Sequence, residues 1–346
     1  MKKIVKVGEL EFGNGYIFVQ SMLNVPTNDV EANIEQAKRL VQAGCDIIRV
    51  AVPEKEDVRL IYELKQSVTI PIVADIHFDH KIAIESVKAG ADKIRINPGN
   101  IGDSDHVKAV VNICQVANIP IRVGVNSGSL PHVGEGSACL NSTNLPIVQS
   151  AIENIRLLER FDFNNIVVSV KSSSVTETIA AYRELSQLTP YPLHLGVTES
   201  GTSYMGLIKS AIGIGSLLND NIGDTIRVSL TADPEKEVKA AIDILKAIGR
   251  RKGVEIISCP TCGRCKIDVE ALAGQAEDLT RNLDKTIKIA IMGCAVNGPG
   301  ECKDADYGIT GGNGEGLIFK HGEIVKKVKE SELISALMEE VKNAIT

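Results

Sequence analysis

The stretch Ala43-Gly44-Cys45-Asp46-Ile47-Ile48-Arg49-Val50 recurs, with substitutions, as Ala89-Gly90-Ala91-Asp92-Lys93-Ile94-Arg95-Ile96. In both copies a glycine follows a helical segment and precedes a run of aliphatic residues, which is typical of a helix that leads into a strand. The two copies therefore indicate one helix-to-strand unit used twice, as in parallel α/β folds.

Further short runs of mainly aliphatic residues, each typical of a strand, follow along the chain and are separated by segments with helical periodicity. They span residues 16–21, 46–52, 70–76, 93–97, 119–126, 166–171, 193–198 and 225–230. Eight strand–helix units in about 250 residues predict a (β/α)8 TIM barrel. An open doubly wound sheet is the alternative, and eight equivalent units favour closure.

Composition sets the broad class and the compartment. The chain has 346 residues, of which 44% are hydrophobic and 24% charged, as in a soluble globular protein. A net charge of -6 argues against a nucleic-acid partner. No segment approaches the roughly 18 apolar residues of a membrane span, and the N-terminus turns polar too early for a signal peptide. We expect a cytoplasmic protein.

The composition changes near residue 250, where we place a domain boundary. Residues 1–250 are predicted to form the TIM-barrel substrate-binding domain. Residues 251–346 are predicted to form a small α+β domain. Residues 127–143, rich in glycine and serine, form a long loop after the fifth strand, either a lid or a disordered insertion.

Four of the eight predicted strands carry an arginine between two aliphatic residues. Because strand side chains alternate between two faces, aliphatics that pack on the helices leave the arginines facing the lumen. These arginines are Arg49, Arg95, Arg122 and Arg227, and residues of the same phase are Asn97, Asn126 and Ser229. Near other strand ends lie Asp75, His77, Lys171, Thr198 and Glu199. All of them are predicted at the C-terminal face, where TIM barrels keep their active sites.

The predicted lumen carries an excess of positive charge. Five cations (four arginines and Lys171) face two acids, Asp75 and Glu199. A desolvated excess of about three positive charges is costly unless an anion occupies the pocket, and arginine suits phosphate oxygens. We therefore expect a diphosphate ligand. The alternative is that each arginine pairs with a carboxylate and only supports the barrel.

The eight cysteines are unevenly distributed. Five of them (Cys259, Cys262, Cys265, Cys294 and Cys302) lie within 44 residues. In a reducing compartment such clustering favours metal or redox chemistry over disulfides. Cys259 and Cys262 form a C-x2-C pair, which lets two thiolates reach one metal site. Spacing alone leaves zinc and iron–sulfur open, with free buried thiols as a third alternative.

Nearly the whole chain resembles the bacterial 4-hydroxy-3-methylbut-2-enyl diphosphate synthases of the methylerythritol phosphate route to isoprenoids. The most specific stretch is Met292-Gly293-Cys294 followed by Val296-Asn297-Gly298-Pro299-Gly300-Glu301. Further similar stretches are residues 19–22, 43–53, 74–78, 94–100, 122–126, 223–231 and 258–262.

This resemblance implies a function, a cofactor and partners. It implies reductive ring opening and dehydration of 2-C-methyl-D-erythritol 2,4-cyclodiphosphate, with electrons from a flavodoxin or ferredoxin. It implies a [4Fe-4S] cluster on Cys259, Cys262 and Cys294, with Glu301 at the fourth iron and able to handle a proton. It also implies a homodimer in which the barrel of one subunit faces the cluster domain of the other.

Some residues depart from the family pattern. Residues 22–25 differ from the usual threonine and asparagine run, so no substrate contact is assigned to them. Cys265 and Cys302 are extra thiols that could replace Glu301 as the fourth ligand. Two other classes remain: a non-catalytic iron–sulfur or zinc protein, and a pterin- or sugar-phosphate-binding barrel with a zinc tail.

Overall fold

The computed structural model describes residues 2–129, 145–281, 283, 285–294 and 302–343. The chain divides between Leu245 and Lys246 into two compact units, here called the barrel unit and the C-terminal unit. None of the described helices is both long and apolar enough to cross a bilayer.

Within the described residues, the barrel unit contains eight parallel strands, each followed by a helix. The strands are β3 (Phe18–Met22), β4 (Ile47–Ala51), β5 (Ile72–Asp75), β6 (Lys93–Ile96), β7 (Ile121–Asn126), β8 (Ile166–Lys171), β9 (His194–Leu195) and β10 (Thr225–Ile226). The helices are α1 (Val30–Gln42), α2 (Val58–Ser67), α3 (His80–Lys88), α4 (Ser104–Ala117), α5 (Pro146–Glu159), α6 (Val175–Leu188), α7 (Ser203–Asn219) and α8 (Pro234–Ala247).

The sheet closes on itself. Its strand order is β8-β7-β6-β5-β4-β3-β10-β9, and a parallel bridge between Val168 and Leu193 joins β8 to β9. The predicted (β/α)8 barrel is therefore confirmed. All eight predicted strands are present, although β9 and β10 are shorter than the sequence pattern indicates.

The repeated helix-to-strand unit has a structural reason. Gly44 and Gly90 follow α1 and α3 with φ angles of 93° and 97°, a conformation that glycine adopts without strain. The aspartate two residues later accepts a hydrogen bond from a neighbouring strand: Asp46 from Val19 N at 2.7 Å, and Asp92 from Ile72 N at 2.8 Å. The unit thus ends a helix and ties the next strand to its neighbour.

An N-terminal hairpin closes the opposite end of the barrel from the active-site face. It consists of antiparallel strands β1 (Val5–Val7) and β2 (Leu10–Phe12), which the sequence analysis did not predict. Its side chains pack in one apolar cluster with residues from the barrel strands. The cluster contains Val5, Val7, Phe12, Phe18, Ile47, Val73 and Val167. This end of the barrel is therefore filled mainly by apolar side chains.

The C-terminal unit is a mixed sheet with two helices in its described part. Its strands, in sheet order, are β11 (Val254–Ser258), β12 (Ile287–Met292), β13 (Tyr307–Gly311), β14 (Glu315–Lys320) and β15 (Glu323–Lys329). The helices are α9 (Val269–Thr280) and α10 (Leu333–Asn343). Strands β11, β12 and β13 are parallel, and the others pair antiparallel. The sequence analysis missed β13, which lies in a glycine-rich tract.

Candidate active site

A polar cavity of about 210 Å³ lies inside the barrel, at the C-terminal ends of its strands. Its lining residues are Met22, Arg49, Asp75, His77, Arg95, Arg122, Asn126, Ser169, Lys171, Thr198, Arg227 and Ser229. The aliphatic neighbours of the strand arginines, such as Ile48 and Val50, are fully buried on the other face. Strand alternation thus places the arginines in the cavity, as the sequence pattern predicts.

Two of the predicted binding residues do not line the cavity. Asn97 is buried beside it, and its side-chain Oδ1 accepts a hydrogen bond from Gly99 N at the start of a short 3-10 turn. Glu199 is exposed and has a φ of 49°, which ends the extended backbone four residues after the end of β9. The charge balance of the cavity therefore rests on other acids.

Asp75 is the anionic centre of the cavity. Its Oδ1 accepts a hydrogen bond from Arg95 Nη1 at 3.1 Å, and its Oδ2 lies 3.6 Å from Arg49 Nε and 3.5 Å from His77 Nε2. Although burial raises the pKa of Asp75, the Arg49 charge, the His77 hydrogen bond and the Arg95 charge outweigh it and hold the pKa well below its usual range. Asp75 is therefore ionised and shared among several donors.

Glu237 is an acid that the sequence analysis missed. It lies on α8, is 4% exposed, and its Oε2 is 3.5 Å from Arg227 Nη2. Its Oε1 accepts a hydrogen bond from Leu230 N at 2.8 Å, which fixes the turn after β10. The sequence contained an indication of this role. Glu237 precedes the buried Ala241 by four residues and therefore lies on the same apolar face of α8, where an acid needs a partner.

Two cations of the cavity have no acid of their own among the described residues. Arg122 is 1% exposed, and its Nε and Nη1 find no hydrogen-bond partner in the described part of the chain. Burial and the charges of Arg49 and Arg95 lower its pKa. Burial and the nearby arginines likewise lower the pKa of Lys171. Five cations therefore line the cavity with one acid, Asp75, and Glu237 pairs with Arg227 from outside the lining.

Further polar groups of the lumen lie on the same strand faces as the predicted ones. Ser169 and Lys93 precede Lys171 and Arg95 by two residues, so strand alternation could have identified both. Lys93 is fully buried, with Nζ over the Phe12 ring at 4.6 Å, and burial lowers its pKa. Met22, to which no contact was assigned, accepts hydrogen bonds from Arg49 through its sulfur and lines the cavity.

In the C-terminal unit, thiols gather at one edge of the sheet. Cys259 follows β11 and Cys294 lies two residues after β12, and these parallel strands are in register with Ser258 opposite Ile291. The backbone N of Gly293 donates a hydrogen bond to Cys259 Sγ at 3.2 Å. The C-x2-C turn and the loop of Cys294 therefore leave the sheet at neighbouring positions.

The cysteines differ in environment. Cys262 is exposed, and its pKa is lowered by hydrogen bonds from the backbone and side chain of Arg264, which favour the thiolate. Cys265 is half-buried, and its Sγ donates to the carbonyl of Ile267 at 3.1 Å. Among the described residues no three His, Cys, Asp or Glu side chains converge on a single metal ion.

Several predicted residues lie outside the described part of the chain. Glu301 is one of them, as is the side chain of Cys302. Residues 130–143 of the predicted long loop are also outside it. Their expected roles stay predictions.

Comparison with known proteins identifies relatives over nearly the full length. A family model described as the GcpE TIM-barrel domain matches residues 2–242, and one described as the GcpE protein C-terminal domain matches residues 255–343. A protein of Caldicellulosiruptor saccharolyticus is 55% identical over 99% of this chain and 98% of its own length. A protein of Caldanaerobacter subterraneus is 53% identical over 99% and 96%. Both are named 4-hydroxy-3-methylbut-2-en-1-yl diphosphate synthase (flavodoxin).

Solved structures share the fold at low sequence identity. The dihydropteroate synthase of Yersinia pestis in complex with a sulfonamide drug superposes with a TM-score of 0.53 at 14% identity, over 71% of this chain and 99% of that one. The enzyme of Xanthomonas albilineans gives 0.52 at 14% identity, over 71% and 97%. At this identity the likeness concerns the fold alone.

Proposed function

The chain belongs to the GcpE family, and we propose that it makes the product named for its relatives, 4-hydroxy-3-methylbut-2-en-1-yl diphosphate. The substrate would be 2-C-methyl-D-erythritol 2,4-cyclodiphosphate, opened and dehydrated by reduction. The observation that carries this proposal is the cationic cavity: Arg122 and Lys171 are buried beside three other cations with too few acids to neutralise them. A ligand with two phosphates supplies the missing charge.

The cavity residues fall into two roles in this proposal. The cations bind the diphosphate and stabilise the negative charge that ring opening releases, because preorganised donors cost no reorganisation during the reaction. The polar groups Asn126, Thr198 and Ser229 orient the substrate by hydrogen bonds, together with Asp75 and His77. We also keep Asn97 and Glu199 as proposed substrate contacts, although neither lines the cavity.

We propose a [4Fe-4S] cluster on Cys259, Cys262 and Cys294, with Glu301 on the fourth iron. Iron is ligated by thiolates, and two features of the C-terminal unit favour that form: the hydrogen bond from Gly293 N to Cys259 Sγ and the lowered pKa of Cys262. When bound, the cluster would supply both electrons and a Lewis-acidic iron. Displaced from it, the Glu301 carboxylate would accept or donate a proton.

The two domains would divide this work. Residues 1–250 bind the substrate and residues 251–346 hold the cluster. The names of the relatives support a flavodoxin as electron donor, with a ferredoxin as the alternative. A cytoplasmic homodimer, with neither nucleic acid nor membrane as partner, completes the proposal.

Anaerobic purification followed by a turnover assay tests the proposal. We expect a brown protein with about four iron and four sulfide per chain, which converts the cyclodiphosphate when reduced flavodoxin is supplied. A colourless zinc-loaded protein would favour the pterin- or sugar-phosphate-binding barrel. A brown protein that leaves the cyclodiphosphate unchanged would favour a sensor or electron carrier.

A further inference from the structure

A buried histidine contacts the only lysine that lines the cavity in the described part of the chain. His194 in β9 is 0% exposed, and its Nε2 lies 3.3 Å from Lys171 Nζ. Its other ring nitrogen, Nδ1, is hydrogen-bonded to Thr225 Oγ1 in β10. Lys171 lines the cavity, whereas His194 and Thr225 do not. The histidine therefore reaches the lysine from outside the space left for a ligand.

A charged Lys171 sets the tautomer of the imidazole. An ammonium group only donates, so His194 Nε2 accepts from Lys171, and Nδ1–H then donates to Thr225 Oγ1. A neutral ring is required for this, and burial together with the charges of Lys171, Arg122, Lys93 and Arg49 lowers the pKa of His194. The ring thus stays neutral and can accept at physiological pH.

The contact between Lys171 and His194 lies where β8 and β9 meet and close the barrel. Tyr182 in α6 accepts a hydrogen bond from Val170 N through its hydroxyl and donates to the carbonyl of His194, so it clamps β8 to β9. Gly196 leaves the space that the lysine fills, since a Cβ there would lie 2.7 Å from Lys171 Nζ and 2.7 Å from the carbonyl of Arg227. Tyr182 thus fixes the two strands that carry the contact, and Gly196 leaves room for the amine.

The other charged neighbours of Lys171 all oppose its charge. Burial lowers the pKa of Lys171 most, followed by the charges of four arginines: Arg122 in β7, Arg49 in β4, Arg227 directly after β10 and Arg95 in β6. The acid of the cavity, Asp75 in β5, is bonded to Arg95 and close to Arg49. His194 is therefore the acceptor that favours the ammonium form.

We propose that His194 is a positioning residue that holds the Lys171 ammonium, charged and correctly oriented, against the diphosphate of the substrate. This inference rests on the proposed function, because it assumes that Lys171 contacts a phosphate. A lysine has a flexible stem, and fixing its amine before binding lowers the entropy cost of the complex. Thr225 contributes by selecting the tautomer that leaves Nε2 free to accept.

Binding of inorganic pyrophosphate to the full chain, measured by calorimetry between about pH 6.5 and 9, tests this role without the cluster. Removal of a hydrogen bond to a charged group is expected to weaken binding by about tenfold in His194→Phe. The loss of the acceptor also lowers the pKa of Lys171 further, so affinity declines at a lower pH than in the unchanged chain. His194→Gln, whose amide oxygen can replace Nε2, should restore most of the affinity.

Two further variants make the result decisive. Thr225→Val should shift the pH profile in the same direction as His194→Phe, and it serves if the phenylalanine variant does not fold. Lys171→Met should bind pyrophosphate weakly. It should also lack the decline of affinity with rising pH that His194→Phe shifts. Because all variants bind the same ligand, ionisation of pyrophosphate cancels in the comparison.

The outcomes separate this inference from the proposed function. If Lys171→Met weakens binding while His194→Phe and Thr225→Val retain the original affinity and pH profile, His194 is not a positioning residue and the diphosphate site stands. If the unchanged chain does not bind pyrophosphate, or Lys171→Met binds it equally well, the proposed diphosphate site fails, and this inference fails with it.

Discussion

Arg95 and Asp75 form a buried ion pair inside the barrel, with Arg95 Nη1 donating to Asp75 Oδ1 at 3.1 Å. The second carboxylate oxygen is already close to Arg49 and His77. One carboxylate therefore serves three cationic or titratable groups, and Arg122 and Lys171 are left without an acid among the described residues. This shared carboxylate is why the cavity stays positively charged and suited to an anion.

Arg122→Met should weaken the binding of pyrophosphate without lowering the thermal stability of the protein. The substitution removes a buried charge whose Nε and Nη1 have no partner in the described structure, at similar side-chain volume. Replacing buried charges by apolar residues is neutral or stabilising by up to about 4 kcal/mol, so we expect an equal or higher Tm for the ligand-free variant. Pyrophosphate binding should weaken at least about tenfold. Thermal unfolding with and without pyrophosphate measures both.

Arg183→Met is the matched control for this substitution. Arg183 is exposed and pairs with Asp220 on the surface, so its loss should change neither quantity appreciably. A lower Tm for Arg122→Met without ligand, combined with unchanged pyrophosphate binding, would show that Arg122 only supports the barrel.

Asp75→Asn should destabilise the barrel in a pH-dependent way. Removing one partner of a buried ion pair costs about 3–5 kcal/mol, or roughly 10 °C in Tm for a chain of this kind. The pKa of Asp75 is held low in the folded chain, so its contribution is fully present above about pH 4, the ordinary value. It is lost as the pH falls further.

The Tm difference between Asp75→Asn and the unchanged chain should therefore be constant from pH 7 to about 5 and shrink below about 4. Asp278 forms an exposed ion pair with Arg281, three residues further along the chain. Asp278→Asn should therefore have almost the same Tm as the unchanged chain at any pH. A Tm difference for Asp75→Asn that does not depend on pH would contradict the ionised, shared carboxylate.

Cys262→Ser and Cys265→Ser should differ in iron content. The environment of Cys262 favours a thiolate, whereas the Cys265 thiol donates to the carbonyl of Ile267. After anaerobic reconstitution we expect Cys265→Ser to retain about four irons per chain and Cys262→Ser to lose most of them. The reverse pattern would replace Cys262 by Cys265 in the proposed ligand set.

Glu301→Gln tests the assignment that rests on the family resemblance alone. The amide should leave the colour and iron content of the protein largely intact while turnover of the cyclodiphosphate collapses. Glu315→Gln, an exposed acid of the same unit paired with Lys327, provides the control. Loss of colour and turnover together would make Glu301 a structural ligand.

The strand pattern allowed the barrel and most of its cavity to be predicted. Strand side chains alternate strictly, so an arginine between two buried aliphatics can only face the lumen once the sheet closes. This argument identified Arg49, Arg95, Arg122 and Arg227 correctly as neighbours in space. It needs local sequence only, which is why it succeeded.

Contacts between distant segments could not be predicted in the same way. The pairs Arg227 with Glu237 and Lys171 with His194 depend on how helices and strands meet, which a single strand does not encode. Glu199 was expected in the lumen because it lies near the end of the predicted seventh strand, but β9 ends at Leu195 and Glu199 has a positive φ.

The two missed strand regions have separate causes. Strands β1 and β2 have three residues each, too few to show a period. Strand β13 ends in Gly311, where a Cβ would lie 2.7 Å from an Ile267 side-chain carbon and 3.0 Å from the carbonyl of Gly293. Its glycines reflect close packing, although glycine in sequence argues against a strand.

The most direct measurement is an electron paramagnetic resonance spectrum of the anaerobically reduced protein, with and without 2-C-methyl-D-erythritol 2,4-cyclodiphosphate. The proposed reduction of a cyclodiphosphate bound by the cavity cations predicts a cluster signal that changes when the substrate is added, and a much smaller change in Arg122→Met. A protein without iron, or a cluster signal that saturating cyclodiphosphate leaves unaltered, would contradict it.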